Sequence, residues 1–178
     1  MTLFENRGHV IGILDNLLQK IDVPADLIGG VALGSYNYIR NTEDVDILID
    51  KSNFSKVANA IVDSGGQYLG KENKFSLSGH TIQICYNGLK VHKTIFPKPS
   101  NTIAGLSVIG LPNLLAMKIE AGMSQQRHRS DFVELVKRNN ISLEYLKDNV
   151  YQLLDKDSIR WGLALWKIAK KELDEGVN

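Results

Sequence analysis

Residues 28–50 read IGGVALGSYNYIRNTEDVDILID. An apolar residue and a glycine pair, Ile28-Gly29-Gly30, are followed by thirteen residues and then by Asp44-Val45-Asp46-Ile47. Leu27 and Ile28 form a short apolar segment. The glycines supply a tight turn, and Val31, Ala32 and Leu33 before Gly34 supply a short helix. Val45, Ile47, Leu48 and Ile49 are a β-rich run interrupted by Asp44, Asp46 and Asp50. That is a strand with carboxylates on one face, because residues two apart on a strand point the same way. Asp44 and Asp46 therefore project side by side. Two hard oxygen ligands next to a glycine turn suit Mg²⁺ or Mn²⁺, which take few carboxylates and complete their shell with water and phosphate oxygens. Glycine lets the backbone approach a triphosphate closely. Either feature alone is common as solvated charge or as an ordinary turn, and their order and spacing are what join them into a candidate metal and nucleotide site.

Working outward, apolar residues from Val10 to Ile21 recur at three- and four-residue intervals, predicting a helix over Asn6 to Ile21 that Pro24 ends. Ser52 or Asn53 is placed to cap a helix facing inward through Phe54, Val57, Ile61 and Val62 and ending at Gly65-Gly66. Tyr68-Leu69, Phe75 to Leu77 and Thr81 to Tyr86 read as an antiparallel meander. Lys93 to Asn101, with Pro97 and Pro99, reads as an extended loop before a short strand at Val108-Ile109. From Leu111 onward the pattern is helical, with Pro112 in a first turn and helices over Leu114 to Gly122, Ser130 to Asn139, Leu143 to Leu154 and Ser158 to Leu173. The expected fold is α+β: a small mixed β-sheet flanked by helices over residues 1–110, with a helical region over 111–178 packed on it.

Composition narrows the function. With 21 Lys and Arg against 20 Asp and Glu, no global field draws the chain to nucleic acid or to anionic lipid. No apolar run is long enough to span a membrane and the first ten residues lack a signal-peptide pattern, so the expected address is the cytoplasm. The lone Cys85 lies in an apolar strand and is expected to be buried without a catalytic role. His9, His80, His92 and His128 show no zinc spacing. Arg127-His128-Arg129 is a short basic cluster, read either as a phosphate contact or as a solvated helix start. The helix bearing Ile159, Leu163, Leu165, Trp166 and Ile168 is apolar enough for core packing or for a homodimer surface.

The pattern of Ile28 to Ile47 resembles the DNA polymerase β-like nucleotidyltransferase superfamily, whose signature is an apolar residue, Gly, Gly or Ser, a spacer, then Asp, apolar, Asp or Glu, apolar. With LPNLLAMKIEAGMSQQRHRSDFVEL downstream, the stretch looks like the minimal bacterial group that includes the AbiEii-type toxins. The likeness implies a small mixed sheet with a helical C-terminal part, and transfer of a nucleoside monophosphate from an NTP to a hydroxyl or phosphate. Carried across, Gly29 and Gly30 would face the phosphates, and Asp44 and Asp46 would ligate the metal. Arg40 and Thr42 match an Arg-x-Thr that precedes the acids. Ser35 fits a Gly-Ser variant of the motif, at a shorter spacing. The group's later Lys-then-Asp falls on Lys118 and Asp131. Lys118 would reach a triphosphate as a point charge or else snorkel into water. Asp131 would act as a catalytic or positioning acid, or else cap the helix or pair with Lys118 or Arg127. The likeness also implies a third carboxylate on the strand Thr81 to Cys85, one that would complete a two-metal site and help to deprotonate the attacking hydroxyl; this chain carries Gln83 there, and a neutral amide is neither a general base nor a good Mg²⁺ ligand. Two readings follow from the likeness, beside a third in which the chain is an unrelated α/β interaction domain and Asp44 and Asp46 are surface charge. One is an NTP-dependent transferase whose acceptor is a small molecule, an RNA or a protein; the other is a weakened nucleotidyltransferase fold that recognises a protein partner, as a toxin–antitoxin component would.

Overall fold

The computed structural model describes residues 3–70, 73–86 and 101–176. These residues fall into two compact units. One holds the residues up to Ser35, those from Ile39 to Tyr86 and those from Asn101 to Ile109. The other holds Tyr36–Tyr38 and the chain from Gly110 onward. The loop expected over Lys93 to Asn101 lies almost wholly outside the described residues.

The first unit is a sheet with helices. Helix α1 (Leu3–Lys20) leads to strand β1 (Asp26–Leu27), helix α2 (Gly29–Leu33), strand β2 (Asp44–Ile49) and helix α3 (Phe54–Asp63). Strands β3 (Gln67–Tyr68), β4 (Lys74–Leu77), β5 (His80–Tyr86), β6 (Thr102–Ile103) and β7 (Leu106–Val108) complete it. The seven strands lie in the order β3-β4-β5-β2-β1-β7-β6. Two neighbouring pairs, β2 with β5 and β1 with β7, are parallel, and the others are antiparallel. The sheet is mixed, as expected, and β3, β4 and β5 form the antiparallel meander.

Alternation along β2 does what period two requires. Val45, Ile47 and Ile49 are buried on one face, while Asp44, Asp46 and Leu48 are half-buried on the other. In register with them, Leu27, Ile82, Ile84, Phe75 and Val108 continue the apolar face. Helices α1 and α3 touch one another and close that face with Val10, Ile11, Leu14, Leu18, Val57 and Ile61. Two local expectations are corrected. Val62 points outward at 48% exposure. Asn53 stands at the cap position of α3 as expected but makes no side-chain cap bond; that bond comes earlier, where the Asp50 carboxylate accepts the Ser52 amide at 2.8 Å and opens a 3-10 turn over Lys51–Asn53. Helix α1 ends at Lys20 ahead of Pro24, because Asp22 turns left-handed at φ 50° and the Val23 amide closes on the Leu18 carbonyl.

The second unit is helical: α4 (Leu111–Gly122), α5 (Gln126–Arg138), α6 (Leu143–Asn149) and α7 (Lys156–Asp174). Its core gathers Leu114, Leu115, Ile119, Phe132, Leu135, Val136, Leu146 and Leu165. Helix α7 crosses α4 at Gly162, where an added Cβ would come 2.8 Å from Ile119 Cδ1, so glycine sets the closeness of that crossing. The expected apolar face of α7 needs adjustment. Its buried stripe is Ser158, Gly162, Leu165 and Ala169, whereas Ile168 is 47% exposed. The predicted helix over Leu143 to Leu154 stops at Asn149 and continues as a 3-10 turn over Tyr151–Leu153.

Candidate functional site

The register of the sheet builds a polar patch on its open face. Asp46 of β2 pairs with Gln83 of β5, which pairs with Lys74 of β4, so the three side chains form one row. Asp44, Thr81 and Ser76 form the adjacent row. On the other side, Leu48 pairs with Asp26 of β1 and with Cys85 of β5. The two aspartates thus share a face, as the Asp-x-Asp spacing predicts.

Each aspartate has a specific neighbour. Helix α2 begins at Gly29 itself, with no separate turn between it and β1, and Gly29 has φ 63°. The Asp46 carboxylate fills the space where a Gly29 side chain would stand. Ile28 donates its amide to the Asp46 carbonyl at 3.0 Å, which fixes the glycine beside the acid. Asp44 Oδ2 lies 2.9 Å from Lys74 Nζ, with both side chains partly exposed at 26% and 20%. The motif gives no reason to pick out Lys74: in the sequence it is simply a polar position on an alternating strand.

Around the patch, burial sets the chemistry. Asp26 has its carboxyl pushed above the usual carboxylate range by burial. Cys85 is half-buried on the open face rather than buried in the core as its apolar neighbours suggest. Burial first, and the Asp46 charge second, push its thiol up to about 12 against the opposing pull of Lys74, so it is a poor nucleophile at neutral pH.

The loop leading to β2 is held from beneath. Thr42 is buried, and a Cβ on Gly30 would come 2.7 Å from the Thr42 side chain, so these two residues pack face to face. Thr42 Oγ1 is 3.4 Å from the Asp44 carbonyl, and the Arg7 guanidinium donates to the Thr42 carbonyl. Arg40 donates to the Asn41 carbonyl at 3.1 Å. Ser35 lies in the 3-10 turn Gly34–Tyr36 that follows α2. A cavity of about 250 Å³ opens beside this loop, lined by Arg7, Gly30, Val31, Ile39, Arg40 and Thr42 among others.

Lys118 and Asp131 lie in the helical unit, on α4 and α5. Lys118 does not snorkel: its side chain is 3% exposed, and Nζ donates to Asp131 Oδ2 at 2.7 Å. His128 Nδ1 stands 3.2 Å from the same amine. Arg129 donates to the Gly122 and Met123 carbonyls at the end of α4 and stacks over Trp161. Of the basic cluster, Arg127 alone is fully at the surface.

No group of three or more His, Cys, Asp and Glu that could hold a metal ion occurs among the described residues. The donor set fits one hard divalent ion shared by two carboxylates and completed by phosphate and water, which is the economy Mg²⁺ favours. No described helix is long and apolar enough to cross a membrane.

Against known structures, the chain superposes on the crystal structure of ANT(2'')-Ia in complex with adenylyl-2''-tobramycin with a TM-score of 0.56. The match covers 89% of this chain and 96% of that one at 10% identity. This is the nucleotidyltransferase fold. The solution structure of the same antibiotic-resistance factor agrees, with a TM-score of 0.53 over 96% of each chain at 11% identity. No protein-family model matches the sequence. No curated protein matches it either. The likeness is one of fold, and at such identity the roles of the site residues rest on their own geometry.

Proposed function

We propose that the chain is a nucleotidyltransferase that uses a divalent metal to move a nucleoside monophosphate from an NTP to an acceptor hydroxyl or phosphate. The observation that carries this reading is the placement of Asp44 and Asp46 on the open face of β2, with Gly29 against the second carboxylate. ANT(2'')-Ia, which shares the fold, has been captured with an adenylylated tobramycin, and this favours a transfer chemistry over a purely structural use of the sheet. The acceptor here is a small molecule, an RNA or a protein.

Asp44 and Asp46 would hold Mg²⁺ or Mn²⁺, whose charge would polarise the α-phosphoryl group and offset charge on the leaving pyrophosphate. The chain's own residues then position. Gly29 and Gly30 present side-chain-free backbone to the triphosphate, and Arg40, with Ser35, lies on the segment that follows. Thr42 contributes by packing under Gly30, and Lys118 and Asp131 by pairing with each other inside the helical unit. The acceptor oxygen bonds to the α-phosphorus as the bond to the bridging oxygen breaks, pyrophosphate leaves, and the acceptor's proton passes to solvent, since Gln83 cannot take it. Positioning and charge neutralisation supply most of the rate.

Gln83 favours a second reading, a weakened fold that binds a nucleotide or a protein partner without turnover, as in a toxin–antitoxin pair. Pyrophosphate release from each of the four NTPs, with Mg²⁺ and with pools of small molecules, RNA or protein as acceptors, separates the two. The first reading expects release that falls at least ~100-fold in Asp46→Asn, the scale on which loss of a metal ligand or electrostatic stabiliser acts. Equal release by the variant would sink it, and nucleotide binding without release would favour the second.

A further inference from the structure

The polar row Asp46–Gln83–Lys74 contains a neutral side chain in the middle and a cation at its end. Lys74 sits two strands away from β2, roughly 10 Å at ordinary strand spacing. Its stem crosses over β5 and brings Nζ 2.9 Å from Asp44 Oδ2. The amine therefore occupies the side of Asp44 that faces β5, where a further metal would have to sit to be shared with a ligand on that strand. No such ligand exists in the row, because the β5 position is Gln83. Counting charge, two carboxylates and one ammonium leave a net −1 in the two rows, enough for one divalent ion beside a triphosphate. A second ion would have to sit on the β5 side of Asp44, the side the ammonium occupies at hydrogen-bond distance, and like charges so close repel strongly in a partly buried site.

Resting on the nucleotidyltransferase reading above, we propose that Lys74 takes the place of the second cation, so that the site works with a single divalent ion and a fixed ammonium. The neutral amide at Gln83 and the lysine at position 74 are then two halves of one arrangement. Lys74 is a positioning residue in this scheme: it holds Asp44 and sets the metal count.

Counting Mn²⁺ tests this. Mn²⁺ is titrated into the protein with an α,β-methylene NTP analogue, the protein in excess so that all analogue is bound, and free Mn²⁺ is read by electron paramagnetic resonance. The wild type is expected to take up one Mn²⁺ per bound nucleotide, and Lys74→Arg, which keeps the charge, also one. Lys74→Ala/Gln83→Asp, which removes the ammonium and supplies the carboxylate, is expected to take up two. Circular dichroism establishes that each variant is folded. Two ions in the wild type would overturn the proposal, as would a single ion in the folded double variant. Absence of both nucleotide and metal binding in the wild type is a different failure: it would overturn the nucleotidyltransferase reading itself, and this proposal with it.

Discussion

The carboxylate of Asp46 lies in the volume that any side chain on Gly29 would need, and Gly29 holds a φ of 63° that L residues adopt only with strain. The glycine of the motif is therefore a spatial requirement of the second aspartate as well as a conformational requirement of the backbone entering α2. Gly34, which closes the same short helix, has φ −58° and open space around it.

Gly29→Ala is accordingly expected to destabilise the fold by about 1–3 kcal/mol, the range for a strained backbone position, and to displace Asp46. Gly34→Ala should be within ~0.5 kcal/mol of the wild type, as for an unconstrained surface site. Urea unfolding of the two variants side by side measures the difference. Equal losses would mean that the Gly29 geometry is not what holds the acid.

The buried pair Lys118–Asp131 predicts a strongly non-additive double-mutant cycle. Lys118→Met or Asp131→Leu alone takes the ionic partner from a charge inside the helical unit, leaving His128 beside it, and should cost about 3–5 kcal/mol. The two together should recover most of that loss, because an apolar pair of similar volume needs no ionic partner. Denaturant midpoints at neutral pH provide the check, and additive losses would refute the pairing.

Burial at Asp26 gives a pH signature with a definite sign. Its carboxyl is raised above the ordinary value of 3.8, so the folded chain holds that proton more tightly than the unfolded chain does. Below the unfolded value both states are protonated and the site costs nothing. As pH rises through 3.8 the unfolded chain ionises first and stability falls, until the folded carboxyl has ionised too and the cost is complete. Asp26→Asn should therefore match the wild type at about pH 3 and exceed it in stability at about pH 7, where a normal carboxylate is ionised. A variant that is less stable at neutral pH would show that the Asp26 charge is stabilising instead.

Strand β2 is legible in the sequence because Val45, Ile47 and Ile49 alternate with Asp44 and Asp46, and period two survives any tertiary context that buries one face. The helices α1, α4, α5 and α7 follow from three- and four-residue spacing for the same reason. What local patterns miss depends on pairing at a distance. Strand β6 is Thr102–Ile103, too short to carry a period. Tyr36–Tyr38 joins the helical unit because Asn139 donates to the Tyr36 carbonyl at 2.9 Å and Arg138 stacks on Tyr38, contacts between segments far apart in the chain that no local pattern encodes. The role of Lys74 is hidden likewise, since only the register of β4 on β5 on β2 brings it to Asp44.

If Asp44 and Asp46 form a metal-dependent nucleotide site, calorimetric titration of the four NTPs will reveal it. Wild type and Asp44→Asn/Asp46→Asn are each titrated with and without Mg²⁺. The wild type is expected to bind at least one NTP in a manner that requires Mg²⁺, and the folded variant to lose that binding. Binding that is indifferent to Mg²⁺ and equal in the two proteins, or no binding by either, would refute the site.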